Sequence, residues 1–127
     1  MDAAVVRITA AVFALYGIAF LLAPERAAWL VTEAVPGSAS AVIDVRATYG
    51  GMSVAVGALL FALAADPGLV RKGLLGVILL MAGMAAGRIC GIALDGPANR
   101  VMWAYLVLEI AVAAVASWRL WAARRSA

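Results

Sequence analysis

The sequence lacks histidine and has a single cysteine, Cys90, among its 127 residues. Without an imidazole, the chain cannot supply a histidine-ligated haem, a catalytic thiol–imidazole pair or the common histidine-containing zinc sites. One cysteine cannot form an internal disulfide, which excludes a disulfide-stapled secreted domain. We therefore predict neither a metal site nor a cofactor.

Charged residues are also scarce, at 13% of the chain against about 25% in an ordinary soluble domain. Apolar residues instead make up 67%, and a domain of this length has too much surface to hide them from water. Lipid is therefore the predicted solvent, which excludes a disordered tail and a soluble enzyme. The net charge of +3 is too small and too scattered to predict a nucleic-acid partner.

Four apolar segments are long enough to cross a membrane, which takes about 20 residues in helical conformation. Turns containing proline, glycine or aspartate separate them, since these residues interrupt helices. An open sheet would leave backbone groups unsatisfied in lipid, so the predicted fold class is all-α, an integral membrane four-helix antiparallel bundle. We predict one transmembrane domain over residues 1–127, with spans at about 5–23, 40–65, 73–94 and 101–122.

The longest connection, residues 24–39, follows the first span. Pro24 suits the first turn of a short helix, and Trp29 lies in an apolar patch. Two interpretations stay open for this segment. It is either a helix in the membrane interface, with Trp29 at the level of the headgroups, or a packed loop that caps the bundle.

Basic residues predict the orientation, because lysine and arginine near the spans favour the cytoplasmic side. Four spans place both termini and the second connection on one face. That face has six basic residues against four on the other, so we predict a multi-pass protein of a bacterial inner membrane with both termini cytoplasmic. The six are Arg7, Arg71, Lys72, Arg119, Arg124 and Arg125, and the four are Arg26, Arg46, Arg88 and Arg100.

Small residues recur at helical spacing on two of the spans. The second span has Gly50, Ser53 and Gly57, and the third has glycines at every fourth position, namely Gly83, Gly87 and Gly91. Such strips let two membrane helices approach closely. They predict packing within one chain, or, through Gly83, Gly87 and Gly91, a homodimer or larger membrane complex.

Two ionisable residues, Arg88 and Glu109, lie well inside the predicted spans. A charge in the middle of a membrane helix costs about 2.5–3.5 kcal/mol on insertion scales. At about 1.5 Å per residue, Arg88 and Arg46 lie about 9 Å, and Glu109 about 12 Å, from the outer ends of their helices. Three helices therefore present these side chains to the outer half of the membrane, with Tyr49 and Tyr105 on the same faces.

The polar residues allow several functions. Two arginines facing one carboxylate leave a surplus positive charge, which suits the carboxylate or phosphate of an anionic amphipathic or lipid-like ligand. Alternatively, Arg88 and Glu109 form a purely structural pair, or Glu109 serves a proton-coupled small-molecule transporter. We predict non-catalytic binding of membrane lipid, or an accessory subunit of a membrane complex. The predicted ligand-binding residues are Arg46, Tyr49, Arg88, Tyr105 and Glu109.

An enzyme is the less favoured alternative to a binding protein. With no histidine and no cysteine pair, an enzyme acting on lipids or quinones would need an acid or base from the residues already named. Glu109, Tyr49 and Tyr105 are the residues available for that role. We predict no catalytic residue.

Short motifs occur at the same polar positions. They are the run Arg46-Ala47-Thr48-Tyr49-Gly50-Gly51, then Gly87-Arg88, Asp95-Gly96, and Tyr105 with Glu109. This pattern resembles the bacterial membrane family known as domain of unknown function 4345. The resemblance implies a small four-helix membrane protein and brings no activity with it.

Overall fold

The computed structural model describes residues 1–125, apart from the side chains of Ala123 and Arg124. Every regular element in that part of the chain is helical, which confirms the predicted all-α class. Arg124, used above for orientation, and residues 126 and 127 of the predicted domain lie outside the described residues. The helices are α1 (Asp2–Leu22), α2 (Pro24–Thr32), α3 (Ala39–Ala65), α4 (Val70–Asp95) and α5 (Arg100–Arg125).

Four of these helices, α1, α3, α4 and α5 as far as Ala122, are long and apolar enough to cross a membrane. Their ends lie within three residues of the predicted spans. The chain therefore has the helices of a multi-pass membrane protein, as the bundle prediction requires. Helix α2 is too short to span and occupies the first half of the long connection. Trp29 on α2 is 54% exposed, as an interfacial helix requires, although the position of α2 in the membrane stays a prediction.

Local chemistry explains where the helices begin and end. Pro24 begins α2, since proline lacks an N–H and its ring suits the first helical turn. Glu33 ends α2 in the left-handed conformation, with its N–H donating to the Trp29 carbonyl at 2.8 Å. The Ser38 hydroxyl caps α3 by accepting from the Ala41 N–H at 3.2 Å. These features account for the break between α2 and α3.

Helix α3 contains a wider, π-helical segment at Arg46–Gly51. This segment coincides with the first motif of the family resemblance. π-helical turns are rare, and they occur frequently at functional sites. The sequence reasoning assumed about 100° per residue throughout, so it did not predict this widening.

The α-carbon contacts divide the chain into two compact units. The hairpin unit comprises Met1–Val6 and Leu63–Ala127, and the α1–α3 unit comprises Arg7–Ala62. The prediction of a single transmembrane domain stays a prediction.

In the α1–α3 unit, glycines allow two helices to approach at backbone distance. A Cβ added to Gly17 would lie 2.7 Å from the Gly50 carbonyl oxygen. A Cβ added to Gly57 would lie 2.8 Å from the Ala10 carbonyl oxygen. Ser53, the third member of the α3 strip, is also buried. The α3 strip therefore packs within the chain, against α1.

In the hairpin unit, α4 packs against α5, and Leu74, Val77 and Met81 are buried on α4. Gly83 and Gly87 differ from these buried residues. Within the described residues, no side chain and no atom of another element lies within 4 Å of a Cβ added to Gly83 or Gly87. Within the hairpin unit, Gly83 and Gly87 therefore pack against no other described element, and whether this strip packs inside one chain stays a prediction.

Candidate functional site

Arg88 of α4 and Glu109 of α5 form a two-pronged ion pair inside the hairpin unit. The Arg88 Nη2 donates to Glu109 Oε1 at 2.7 Å, and the Arg88 Nε donates to Glu109 Oε2 at 3.1 Å. Two parallel bonds between a guanidinium and a carboxylate are the strong arrangement for such a pair. The pair follows from their similar depth on adjacent helices, which the sequence predicted.

The surroundings of this pair come from the same face of α5. Met102 Sδ accepts from Arg88 Nη1 at 2.8 Å, and the Arg88 Cζ lies 5.3 Å from the centre of the Tyr105 ring. That separation is within the range of a cation–π contact. The Glu109 side chain is only 4% exposed and that of Arg88 is 16% exposed. The hairpin unit thus brings together three of the five predicted site residues, Arg88, Tyr105 and Glu109.

The chemistry of this cluster is that of a satisfied, neutral pair. Among the described residues, no buried side-chain nitrogen or oxygen lacks a hydrogen-bond partner. Each charge compensates the other, which offsets the cost of placing either one in lipid. The geometry therefore supports the structural role for Arg88 and Glu109 that the sequence left open.

Arg46 lies in the α1–α3 unit, at the start of the π-helical segment. Its Nη1 donates to the backbone carbonyl of Leu21, in the last turn of α1. Carbonyls at the end of a helix have no partner within that helix, so an arginine is well suited to this position. Arg46 is exposed and forms no ion pair within residues 1–125. Its positive charge is therefore not matched by a carboxylate of the described chain.

The nearest carboxylate along α3, Asp44, makes a different contact. Its Oδ1 accepts from the Thr48 hydroxyl at 3.4 Å, one turn further along α3. Asp44 is exposed and, within the described residues, forms no ion pair with Arg46. The α1–α3 unit therefore keeps an unpaired guanidinium that can bind an external anion.

Tyr49 follows Arg46 in the same π-helical segment. Its ring centre lies 5.4 Å from that of Phe20, which in turn lies 4.7 Å from that of Tyr16. These spacings are typical of packed aromatic pairs. Tyr49 is 49% exposed, so one side of the ring faces away from the unit. Arg46 and Tyr49 are thus the two predicted site residues of this unit, and the five-residue site as a whole stays a prediction.

The sequence reasoning missed an apolar cavity of about 270 Å³ in the α1–α3 unit, which is partly open to the surroundings of the chain. Side chains of α1, α2 and the first half of α3 line it, together with the connection before α3. The available signal was the helical spacing of the lining residues. Tyr16 and Phe20 are four residues apart, as are Ala41, Val45 and Tyr49.

Comparison with known proteins agrees with the motif pattern. The family model described as "Domain of unknown function (DUF4345)" matches residues 3–120. The match includes all four motifs between Arg46 and Glu109, and it confirms the resemblance. No curated protein and no solved structure matches the chain.

Proposed function

Because this chain belongs to the domain of unknown function 4345 family, whose name assigns no activity, we propose its function from its own polar chemistry. It binds an anionic amphipathic or lipid-like molecule and does not transform it. The site is in the outer half of a bacterial inner membrane, and both termini are cytoplasmic.

The observation that supports this proposal is the positive charge of Arg46, which no carboxylate of the described chain pairs with. A guanidinium offers five N–H donors in a planar fork that fits carboxylate or phosphate. One nitrogen of Arg46 donates to the Leu21 carbonyl, and no carboxylate of the described chain neutralises the charge. An anionic headgroup supplies that missing charge, with Tyr49 able to donate a hydrogen bond from the same π-helical segment.

The other predicted site residues have a supporting role in this proposal. Arg88 and Glu109 neutralise each other, so they contribute no surplus charge to a ligand. Together with Tyr105 they hold α4 against α5. A proton-coupled transporter would instead have to release Glu109 from its two hydrogen bonds to Arg88, which makes transport the less favoured function.

Removing the charge of Arg46 tests the proposal. Arg46→Gln removes the charge and keeps a polar side chain with an N–H donor, and we expect it to lower co-purifying anionic amphipath about tenfold, or about 1.4 kcal/mol. Arg46→Lys keeps the positive charge but loses the planar fork of donors. The amount of amphipath that it retains should therefore lie between that of Arg46→Gln and that of the parent protein. The measurement is mass spectrometry of lipid retained by protein extracted in native membrane patches.

Arg26→Gln is the matched control, since Arg26 is another exposed arginine of the α1–α3 unit. It removes the same charge without touching the π-helical segment and should retain the ligand. Equal retention by Arg46→Gln and the parent protein contradicts the proposal. Equal loss of ligand in Arg26→Gln and Arg46→Gln would contradict a specific site at Arg46, because retention would then depend only on the net charge of the protein.

A second candidate is an accessory role through helix–helix association. The observation that favours it is the outward position of Gly83 and Gly87 on α4. We propose that Gly83, Gly87 and Gly91 contact a second copy of the chain or a larger membrane complex.

Bulky substitutions on α4 distinguish the two faces of the helix. If a homodimer forms there, Gly87→Ile should convert it to monomer, because the side chain prevents close backbone approach. Ala86→Ile, at the neighbouring exposed position, should leave the dimer intact. Single-molecule photobleaching in bilayers measures the stoichiometry. A parent protein that is monomeric at every protein-to-lipid ratio contradicts self-association.

A further inference from the structure

The apolar cavity of the α1–α3 unit has no part in the function described so far. Resting on the proposed binding of an anionic amphipath at Arg46, we propose that this cavity holds one hydrocarbon chain of the bound molecule. The ligand class is then an amphipath with a carboxylate or phosphate head and a flexible tail.

The walls of the cavity are suited to a hydrocarbon chain. Tyr16, Phe20 and Tyr49 form a continuous aromatic wall through their ring contacts. Val31 and Val45 contribute aliphatic surface from α2 and α3. The Thr32 hydroxyl, the polar group of α2 at this site, already donates to the Ala28 carbonyl at 2.8 Å. Apart from the Tyr16 and Tyr49 hydroxyls, the lining therefore offers a tail apolar contact.

The size of the cavity allows it to hold part of a single hydrocarbon chain. Its volume of about 270 Å³ lies below the range of about 300–1,000 Å³ that is usual for pockets of drug-sized ligands. Tyr16, the deepest lining residue of α1, lies about 9 Å from the end of that helix at about 1.5 Å per residue. The cavity thus extends from the end of α1 toward the apolar interior of the span, as the tail of a lipid does.

Arg46 provides charge complementarity beside this cavity. It directly follows the lining residue Val45, and the carbonyl that it contacts belongs to Leu21, which directly follows the lining residue Phe20. A head bound at Arg46 therefore has its tail next to the lined space. This continuity is the reason to assign the cavity to the tail of the same ligand.

Photolabelling tests the inference with a defined probe. The full chain is reconstituted in phosphatidylcholine bilayers with hexadecanoate that carries a diazirine at mid-chain, and adducts are mapped by peptide mass spectrometry. A true site is saturable, so unlabelled hexadecanoate at about ten times its dissociation constant should lower labelling at Val35 and Ala41 about tenfold. Labelling of the exposed Leu59 on α3 reports bulk lipid and should not fall.

Variants that fill the cavity provide a second test of the inference. Ala41→Leu from α3 and Ala34→Leu from the connection each add volume to the cavity, and each should lower saturable labelling about tenfold. Ala34 lies outside any helix, so its variant tests the cavity even if Ala41→Leu disturbs folding. Ala55→Leu adds the same volume at an exposed position of α3 and should label as the parent does.

The outcomes separate the tail site from the proposed function. Lipid retention that depends on Arg46, without saturable labelling of the cavity, overturns the tail site and leaves the function standing. Saturable labelling that is equal for diazirine-bearing hexadecanol and unchanged in Arg46→Gln supports the tail site and overturns anion binding. Loss of labelling in Ala41→Leu, Ala34→Leu and Arg46→Gln, but not in Ala55→Leu, supports both.

Discussion

Glu109→Leu will lower the free energy of unfolding by about 3–5 kcal/mol, because it removes the buried carboxylate that accepts two hydrogen bonds from the Arg88 guanidinium. The Glu109 carboxylate accepts both bonds of the pair and is almost entirely buried. Reversible unfolding in mixed micelles, followed by circular dichroism, measures the loss.

The double variant Arg88→Met with Glu109→Leu should recover most of that stability. Well-packed apolar side chains often replace a buried ion pair with little or no net cost, and lipid favours them further. Asp2→Asn provides the comparison, because the Asp2–Arg119 pair at 2.6 Å is more exposed than the Arg88–Glu109 pair. This substitution should lower the free energy of unfolding by less than about 1 kcal/mol. A double variant as unstable as Glu109→Leu contradicts a structural role for the pair.

Gly57→Ala will destabilise the α1–α3 unit by about 1–3 kcal/mol, the usual cost of overpacking. The new Cβ would lie 2.8 Å from the Ala10 carbonyl oxygen and 2.9 Å from the Ala14 backbone nitrogen. Backbone atoms cannot rotate away as the end of a flexible side chain can, so α1 and α3 must move apart. Thermal unfolding in detergent micelles measures the change.

Gly51→Ala is the matched control on the same helix. A Cβ at Gly51 would meet no side chain and no atom of another element within 4 Å in the described residues. Its unfolding midpoint should equal that of the parent or rise slightly, since alanine is the better helix former. Equal destabilisation by the two variants contradicts close packing at Gly57 and indicates a general need for glycine in α3.

The spans and the Arg88–Glu109 pair could be predicted from sequence because a single energetic term dominates each. Apolar length determines which segments cross a membrane, and the cost of an intramembrane charge singles out the two residues that must compensate each other. Counting residues from the outer helix ends then predicts that Arg88 and Glu109 lie at similar depths in the membrane. No long-range folding information is needed for either inference.

The two glycine strips show where sequence reasoning fails. The strips of α3 and α4 both repeat at steps of three or four residues, yet Gly50 and Gly57 contact α1 while Gly83 and Gly87 contact no other described element of the hairpin unit. A strip of small residues permits close approach but does not specify which helix approaches. That choice depends on tertiary geometry.

The π-helical segment and the cavity could not be predicted for a related reason. The spacing of apolar residues shows which of them share a helix face only if every helical turn has the same number of residues. Helix α3 is wider at Arg46–Gly51, so this condition does not hold there. The cavity depends on how α2 folds back against α1 and α3. The composition of residues 24–39 does not determine that placement, so the position of Arg46 beside an apolar space emerges only from the fold.

A crystal structure grown from a lipidic mesophase, with lipid from the source membrane, tests the central claim most directly. The proposed function predicts an elongated ligand whose carboxylate or phosphate lies about 3 Å from the Arg46 guanidinium nitrogens. An Arg46 that contacts only the Leu21 carbonyl, with every bound amphipath elsewhere on the protein, would contradict it.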